Sequence, residues 1–416
     1  MPSVLTVEAA RQIIIQHCQQ IDRSTRKTET IPLSDSLGRV LAERVFLDRD
    51  YPAFDRSMRD GFAVRDTDVR EVPAILRCVG EVAAGQTPDV HVEKGEAVRI
   101  MTGAAVPQGA TAVIMVEDTE NIGDQSVKVS KVVNRGANIA LKGSERLASE
   151  PVCEPWWRIS PAHLATLAST GKTHVKVCAK PSVAILATGN ELVSVSERPG
   201  PFQIRNSNSF GLVGQVIRHG GEPYMLQTAR DEREDLYCKI LLGLEKDILL
   251  VSGGVSMGKY DLVEPVFADL GIQVHFDAVS MRPGKPVVFG TWKDRFVFGL
   301  PGNPVSTFVT CELFVSPLLE ALQGLSFESL PLVRGVFEGH VSEKSGRTAF
   351  LPANAALRGE ELVISLCDWR GSSDLFGLVQ ANALAIVPRE LAVLQNGDEI
   401  DALLFDTIEY GRESRF

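Results

Sequence analysis

The sequence lacks the cysteine and histidine patterns that hold a structural metal ion or a disulfide framework. Its 416 residues include seven cysteines and seven histidines, and none of them forms a C-x-x-C or an H-E-x-x-H pattern. Structural zinc sites and disulfide-rich domains need such closely spaced ligands or pairs. We therefore expect no structural zinc site, and we interpret all seven cysteines as small buried hydrophobic residues.

The sequence also lacks a long apolar run, a secretion signal and an excess of positive charge. It contains no stretch of about 18 apolar residues, and charged Glu8 and Arg11 stand where a signal peptide would have its apolar core. The formal net charge of −10 disfavours a nucleic acid as the main partner. These absences predict a cytoplasmic protein without a membrane span, in which the N-terminal 20 residues form an amphipathic helix.

Glycine and proline are plentiful, and they divide the chain into regions of different pattern. The 35 glycines and 22 prolines predict many turns. Between residues 51 and 140, short alternating or β-branched runs predict a strand-rich module, and residues 157–172 predict a helix capped by Ser160. Residues 331–405 are again strand-rich, which favours a small C-terminal β-barrel or sandwich.

Residues 182–325 alternate between predicted strands and predicted helices. Alternation of this kind indicates βαβ units and a parallel sheet that helices cover on both faces. The predicted fold class is therefore multidomain α/β plus β, with a parallel-sheet ligand domain, a β-rich module, an extended α/β segment and a C-terminal β-barrel-like domain.

Three glycine-rich segments follow predicted strands of the ligand domain. They are T-G-N-E-L (188–192), S-G-G-V-S-M-G (252–258) and L-P-G-N-P-V-S (300–306). In open α/β sheets, ligands bind beyond the carboxyl ends of the strands, and glycine lets backbone N–H groups approach an anion. One Gly-Gly turn after a strand is more often only a tight turn, but three such segments at one sheet edge favour an anion or nucleotide pocket.

Three acidic residues lie beside these segments, namely Glu191, Asp231 and Asp261. Carboxylates near bound phosphates usually hold Mg²⁺ through their oxygen atoms. The alternative for Asp231 is a helix N-cap, because a helix is predicted directly after it. From the residues alone, the chain offers a site for a phosphate compound with Mg²⁺, and the reaction stays undefined.

Six motifs, in order, resemble those of the molybdopterin molybdenumtransferase family. They are S-M-R-D-G-F-A-V (57–64), R-I-M-T-G-A-A-V-P (99–107), the glycine-rich segment 188–192, segment 252–258 with Asp261, R-P-G-K-P (282–286) and segment 300–306. The resemblance runs through nearly the whole chain, and chance does not account for six motifs in the family order.

The resemblance implies four regions and a reaction. The regions are an extended α/β segment of residues 1–50 with 141–180, a β module at 51–140, a molybdopterin-binding-like α/β domain at 181–327 and a C-terminal β domain at 328–416. The implied protein is a homodimer that hydrolyses adenylylated molybdopterin (molybdopterin-AMP) in the presence of molybdate and Mg²⁺, with metal transfer to the dithiolene and release of AMP. A molybdopterin adenylyltransferase would supply the substrate, and molybdoenzymes or their chaperones would receive the product.

The resemblance also implies roles for individual residues. The catalytic set would be Asp60, Thr102, Glu191, Asp231 and Asp261, with the first two facing the other subunit's ligand domain and the last three holding the metal ion. A further set would bind the pterin and the nucleotide: Gly189, Asn190, Ser252, Gly253, Gly254, Ser256, Gly258, Arg282, Lys285, Pro301, Gly302, Asn303, Pro304 and Ser372.

The chain departs from the family at three positions that are usually basic. They carry Ala140, Ala278 and Pro352. Four other cations are candidates to compensate, although the interpretation of each as a surface charge is somewhat favoured: Lys142, Arg146, Arg205 and Lys285.

These departures leave two alternatives open. The first is a divergent relative that binds molybdopterin or a nucleotide without efficient transfer, as a carrier, sensor or partner-binding module. The second is a competence-damage-type nucleotide pyrophosphatase or amidase, which should lack both the 57–64 segment and the C-terminal β domain.

Overall fold

The computed structural model of the chain describes seven stretches of residues. They are 4–20, 26–123, 125–254, 262–326, 330–342, 346–391 and 393–410. Their strands and helices form the four regions that the sequence predicts: an extended α/β segment, a β-rich module, an α/β ligand domain and a C-terminal β domain. The boundaries that the sequence assigns to the four regions stay predictions.

The first group combines elements from the N-terminus and from residues 151–178. Its elements are helix α1 (Val7–Gln19), strands Thr28–Pro32, Val45–Phe46, Pro151–Cys153 and His174–Cys178, and helix α2 (Pro161–Ser169). The early strands pair antiparallel with the late ones. As predicted, Ser160 caps α2, since its hydroxyl accepts a hydrogen bond from the His163 amide at 3.3 Å.

The second group is a six-stranded mixed sheet. In sheet order its strands are Ala112–Met115, Gly61–Val64, Glu96–Ile100, Ala74–Val82, Ser126–Val129 and Thr119–Asn121. Strand Gly61–Val64 is buried along its whole length because an apolar core lies on each of its faces, with Phe62 and Val64 in one and Ala63 in the other. The strand-rich module is confirmed.

The third group contains the sheet of the ligand domain. In sheet order its strands are Glu222–Met225, Ser182–Ala187, Ile248–Ser252, Arg295–Leu300, Val288–Trp292 and Gln273–Phe276. The first four are parallel, and the fifth, Val288–Trp292, runs antiparallel to the strand on each side of it. The predicted parallel sheet is confirmed in these four strands. The sequence did not indicate strand Val288–Trp292, which a tight turn with Lys293 at φ 54° joins to Arg295–Leu300 as a hairpin.

Helices cover both faces of this sheet, as predicted. They are α3 (Asn208–Arg218), α4 (Arg233–Gly243), α5 (Val263–Asp269) and α6 (Pro304–Leu322). One apolar core joins the sheet to α1, α3 and α6, and a second core joins the other face to α4 and α5. The alternation of apolar strands with amphipathic helices explains both cores.

Helix α6 is long and apolar enough to cross a membrane by length and composition, but 83% of its most apolar window is buried inside the protein. It is thus packed as a core helix. A π-helical turn at Cys311–Val315 interrupts it. The buried Arg11 guanidinium of α1 donates a hydrogen bond to the Leu313 carbonyl at 2.7 Å, which satisfies a backbone group within this turn.

The C-terminal group is a closed five-stranded barrel with additional short strands. Its strands are Leu332–Glu338, Thr348–Arg358, Glu361–Leu366, Ala383–Val387 and Glu399–Leu404, and helix α7 (Leu375–Leu378) lies between the third and the fourth. Each strand pairs with two others, so the ring has no open edge. The predicted C-terminal β-barrel is confirmed.

The cysteines differ in burial, although all seven are free thiols. Cys18, Cys153, Cys178 and Cys311 are buried in the apolar cores. Three others are not: Cys78, Cys238 and Cys367. The interpretation of all seven as buried residues is wrong for them, most clearly for the exposed Cys238 on α4.

Candidate functional site

A cavity of about 1030 Å³ lies beyond the carboxyl ends of the parallel strands. Its walls include the residues that follow strands Ser182–Ala187, Ile248–Ser252 and Arg295–Leu300. Ligand pockets for small molecules and cofactors usually measure about 300–1,000 Å³. The cavity is therefore large enough for a dinucleotide-sized molecule, and it lies where the chain order of the glycine-rich segments predicts it.

Most of the predicted site residues that the structure describes line this one cavity. They are Gly189, Glu191, Asp231, Ser252, Gly253, Gly254, Arg282, Lys285, Pro301, Gly302, Asn303, Pro304 and Ser372. Three predicted residues, Ser256, Gly258 and Asp261, lie outside the described residues. Asn190 is described but does not line the cavity. Its backbone amide and its side-chain oxygen are hydrogen-bonded to Asp231.

Two glycines allow the segments that line the cavity to approach each other closely. Gly253 has a φ of 97°, and a Cβ atom there would lie 2.6 Å from the Thr188 carbonyl oxygen. A Cβ atom on Gly302 would lie 3.7 Å from the Gly253 Cα, so the second and third glycine-rich segments approach each other closely. Only glycine allows such an approach at Gly253, whose own amide donates to the Leu300 carbonyl at 3.0 Å.

Asp231 is held toward the first glycine-rich segment. Its Oδ1 accepts a hydrogen bond from the Thr188 hydroxyl at 2.8 Å, and its Oδ2 accepts one from the Asn190 amide at 3.2 Å. Helix α4 begins two residues later at Arg233, and Glu232 occupies the N-cap position. The alternative interpretation of Asp231 as a helix cap is therefore wrong, because its oxygens are bonded across the cavity edge instead.

Glu191 lies close to Asp231, because it follows the same strand as Thr188 and the Thr188 hydroxyl is bonded to Asp231. Its carboxylate folds back over Gly189, where a Cβ atom would come within 2.7 Å of both carboxylate oxygens. In the described part of the chain, no three acidic, histidine or cysteine side chains cluster in a metal-binding arrangement. Two carboxylates still suit Mg²⁺, which usually takes one or two of them together with waters and substrate phosphates.

Cations line the cavity at four described positions: Arg205, Arg282, Lys285 and Arg347. The Arg205 Nε is oriented by the carbonyl oxygens of Val195 and Glu197, at 3.1 and 3.0 Å. Of the four cations that the sequence suggests as compensating groups, Arg205 and Lys285 thus belong to the cavity.

The other two suggested cations lie elsewhere. Lys142 forms an ion pair with Asp50 at 3.6 Å, and the Arg146 guanidinium lies 3.9 Å from Glu150. Both pairs are exposed, which agrees with the interpretation of these residues as surface charges. Pro352 is buried in a barrel strand, so that position contributes no charge to the cavity.

The barrel closes one side of the cavity. The Asn303 side-chain amide donates to the Ser372 hydroxyl at 2.9 Å, and the Val305 amide donates to the Ser372 carbonyl at 3.0 Å. Ser372 thereby satisfies an N–H group in the first turn of α6, which would otherwise lack a partner. The third glycine-rich segment and the barrel are joined at this residue.

Asn208, at the start of α3, is a site residue that the sequence analysis missed. Its Nδ2 donates to the Gly302 carbonyl at 2.7 Å and lies 3.2 Å from both the Ser252 and the Thr307 hydroxyl oxygens. One side chain thus joins helix α3, the second glycine-rich segment and the third. The sequence carries a weak signal for it, since Asn208 directly follows Asn206 and Ser207 at a helix start.

Asp60 and Thr102 form a pair of their own. The Thr102 amide and hydroxyl both donate to Asp60 Oδ1, at 2.7 and 3.0 Å. These hydrogen bonds, the backbone one above all, hold the pKa of Asp60 below its usual value. Both residues are exposed, and neither is among the described residues that line the cavity of the same chain.

Three stretches of the chain match known protein families. Residues 5–171 match the MoeA N-terminal region (domain I and II), residues 184–321 match a probable molybdopterin binding domain, and residues 334–405 match the MoeA C-terminal region (domain IV). Each match coincides with one or two of the sheet groups described above.

Relatives of known name align over almost the whole chain. The molybdopterin molybdenumtransferase of Bacillus subtilis (strain 168) is 34% identical over 386 residues, which cover 91% of this chain and 90% of that relative. The enzyme of the same name from Staphylococcus aureus (strain MRSA252) is 31% identical and covers 96% and 95%. The crystal structure of the molybdopterin biosynthesis MoeA protein from Pyrococcus horikoshii OT3 matches with a TM-score of 0.82 at 29% identity, over 97% of this chain and 100% of that one.

Proposed function

Because this chain belongs to the molybdopterin molybdenumtransferase family and serves molybdenum cofactor biosynthesis, we propose that it transfers molybdate to molybdopterin-AMP with Mg²⁺-dependent release of AMP. The coarse activity is that of a transferase. The substrates, the metal ion and the roles of individual residues belong to the proposal.

The observation that carries the proposal is the composition of this cavity. It joins two carboxylates, three glycine-rich segments and four cations. Cleavage of a phosphoanhydride needs donors for the developing negative charge, and cations supply charge-assisted hydrogen bonds to it. In this proposal the carboxylates hold the metal ion at the phosphates of molybdopterin-AMP, and the cations bind molybdate.

Glu191 and Asp231 would hold Mg²⁺. The third predicted ligand, Asp261, lies outside the described residues. The donor set fits the ion, because both side chains offer carboxylate oxygens to one cavity. When bound, Mg²⁺ supplies charge neutralisation at the phosphate oxygens. The chain itself orients Asp231 through Thr188 and Asn190, so this carboxylate is in place before a ligand enters.

Molybdate is an oxyanion, and the cationic part of the wall suits it as a substrate. Arg282, Lys285 and Arg347 line the cavity together with the Ser372 and Asn303 pair. Cations bind oxyanions through charge-assisted hydrogen bonds. We therefore assign the receipt of molybdate to this side, and these three cations take over from the basic groups missing at Ala140, Ala278 and Pro352.

The protein acts as a homodimer in this proposal, because two of its predicted catalytic residues need a second cavity. Asp60 and Thr102 are exposed and do not line the cavity of their own chain, as far as the described residues extend. Their chemistry is useful only if the pair faces the cavity of a partner subunit.

Helix α3 offers a face for this dimer. Phe210, Gly214 and Ile217 are exposed at helical spacing, and Gly211 lies beside them. Glycine in a helix interior costs about 1 kcal/mol relative to alanine, yet no atom of the described chain lies within 4 Å of a Cβ built on Gly211 or Gly214. The close approach of a second α3 helix would account for both glycines and for the exposed apolar side chains.

Gly214→Arg is expected to convert the dimer to a monomer, since a long charged side chain would enter a close helix contact. Sedimentation velocity at micromolar concentration measures this change. Leu241→Arg, at an exposed apolar position of α4, is the matched control and should leave the dimer intact. A Gly214→Arg protein that still sediments as a dimer would remove α3 from the interface.

The proposed reaction is tested by a single-turnover assay with molybdopterin-AMP, Mg²⁺ and molybdate. We expect AMP release that depends on molybdate and is accompanied by formation of the molybdenum cofactor. Binding of molybdopterin-AMP without AMP release would overturn the transfer reaction and favour the binding-only relative. Omission of molybdate from an otherwise complete mixture is the control.

The remaining partners follow from the chemistry of the substrates. In this proposal an adenylyltransferase supplies molybdopterin-AMP, molybdoenzymes or their chaperones take up the product, and the reaction takes place in the cytoplasm. Co-purification of this chain with a molybdopterin adenylyltransferase from cells would test the first of these steps.

A further inference from the structure

Trp369 is the one aromatic side chain among the described residues that line the cavity. It follows barrel strand Glu361–Leu366, and it lies in the wall with Gly371 and Ser372. Aromatic side chains bind flat ligand rings by stacking, because every heteroaromatic ring presents a π-face. None of the sequence motifs discussed above includes this tryptophan.

The surroundings of Trp369 hold it in place. It is half-buried, and it packs against both the apolar core under α6 and the core of the barrel. In α7, a Cβ atom on Gly377 would lie 2.5 Å from the Trp369 Cβ, so the glycine makes room for it. The Asp374 carboxylate accepts hydrogen bonds from the amides of Arg370 and Gly377, at 2.8 and 3.2 Å, which fixes the intervening loop.

The indole N–H of Trp369 is available to a ligand. By contrast, the indole N–H of Trp292 donates to the Leu270 carbonyl at 3.0 Å. For Trp369, no acceptor lies within reach in the described stretches, and its Nε1 is not sealed off from solvent. A tryptophan with a packed body and a free polar edge is suited to binding a flat ring that carries hydrogen-bond acceptors.

The position of Trp369 selects one of the two flat rings of molybdopterin-AMP. Trp369 lies three residues before Ser372, which is hydrogen-bonded to Asn303. Arg282 pairs with the barrel strand Thr348–Arg358, which neighbours the strand that precedes Trp369. The proposed function assigns molybdate to these groups. The dithiolene must lie at the molybdate to receive the metal, and it is fused to the pterin ring system. The adenine is separated from it by the phosphoanhydride, so it belongs to another part of the cavity.

We propose that Trp369 is a specificity-determining residue that stacks on the pterin ring system of the substrate and keeps the dithiolene at the molybdate side. This inference rests on the proposed function, because the latter defines the ligand. It gives the barrel a direct part in substrate recognition, in addition to closing the cavity.

The test measures the affinities of wild-type protein, Trp369→Leu and Trp369→Phe for two probes. The probes are molybdopterin, handled without oxygen, and AMP. Stacking is worth about 1–3 kcal/mol per ring, so Trp369→Leu should weaken molybdopterin binding about 5- to 150-fold. AMP binding should stay within about twofold, and Trp369→Phe should retain most of the molybdopterin affinity because it keeps a π-face.

Two controls separate stacking from a general loss of structure. Trp157→Leu removes a tryptophan that is 43% exposed and does not line the cavity, and it should change neither affinity. The thermal unfolding midpoint of each variant reports the fold. If Trp369→Leu unfolds too readily, Trp369→Met fills the space with a longer apolar side chain and replaces it in the test.

The outcomes distinguish this inference from the proposed function. Unchanged molybdopterin affinity in Trp369→Leu, or a loss confined to AMP, would overturn the stacking. AMP release by Trp369→Leu with an unchanged KM would likewise overturn it and leave the transferase intact. Trp369-dependent binding of molybdopterin by a wild-type protein that releases no AMP would support the stacking and count against the transfer reaction.

Discussion

Asp231→Asn is expected to slow molybdate-dependent AMP release about 10²- to 10³-fold, with little effect on the fold. Asparagine keeps the size of the side chain, and the Thr188 hydroxyl can still donate to its oxygen. The substitution removes the negative charge, and its Nδ2 would face the Asn190 amide, a second donor, at the position where Oδ2 now accepts at 3.2 Å. Both changes weaken the proposed hold on Mg²⁺.

The measurement is the single-turnover rate of AMP release as a function of Mg²⁺ concentration. We expect a lower maximal rate and a higher Mg²⁺ requirement in Asp231→Asn. Asp269→Asn is the matched control, because Asp269 forms an exposed ion pair with Arg233 away from the cavity. A wild-type rate and Mg²⁺ dependence in Asp231→Asn would exclude this carboxylate from the reaction.

The second large effect is on stability, and it depends on pH. His219, at the end of α3, lies 3.2 Å from Glu320 and 3.4 Å from the buried Glu312 in the π-helical turn of α6. Burial alone would lower the pKa of His219, but the hydrogen bonds and charges of the two carboxylates outweigh it and raise the pKa to about 9. Arg158 contacts Glu320 as well, at 3.3 Å.

The direction of the pH dependence follows from the raised pKa. Below the ordinary histidine pKa of 6.5, the ring is protonated in both folded and unfolded chains, and the ion pairs contribute fully. As the pH rises from 6.5 through about 9, the folded protein loses this contribution. The rise of the His219 pKa from 6.5 to about 9 corresponds to roughly 3 kcal/mol of folding stability, at about 1.36 kcal/mol for each pKa unit.

His219→Gln should therefore flatten the decline of the unfolding midpoint between pH 6.5 and 9. The difference between wild type and variant is the informative quantity, because other groups titrate equally in both. His174→Gln, at an exposed strand position, is the control. Parallel curves for wild type and His219→Gln would show that the histidine is not charged in the folded protein at neutral pH.

The sequence predicted which segments line the cavity where strand order alone decides it. Segments 188–192 and 300–306 follow parallel strands, and the carboxyl ends of such strands meet at one edge whatever the details of packing. The same logic applies to the described part of segment 252–258. Periodicity also indicated both covered faces of the sheet and the C-terminal barrel, because alternating and helical patterns report which side of an element is buried.

The sequence could not predict contacts that depend on tertiary placement. Asn208 joins Ser252 and Gly302, residues far from it in the chain, and nothing in its local pattern distinguishes it from a helix-start residue. Asp231 had a local explanation as a cap, which its bond to Thr188 overrides. The hairpin around Lys293 was missed because the usual Asn-Gly or Asp-Gly turn signal is absent there.

The contact between Gly253 and Gly302 has a consequence for how this site can change over evolutionary time. A substitution at Gly253 would push its Cβ atom against the Thr188 carbonyl, and so separate the segments that meet there. Arg205, Lys285 and Trp369 also line the cavity, but their side chains can be exchanged without moving the backbone between strands. The shape of the backbone at this edge is therefore expected to change more slowly in evolution than the side chains around it.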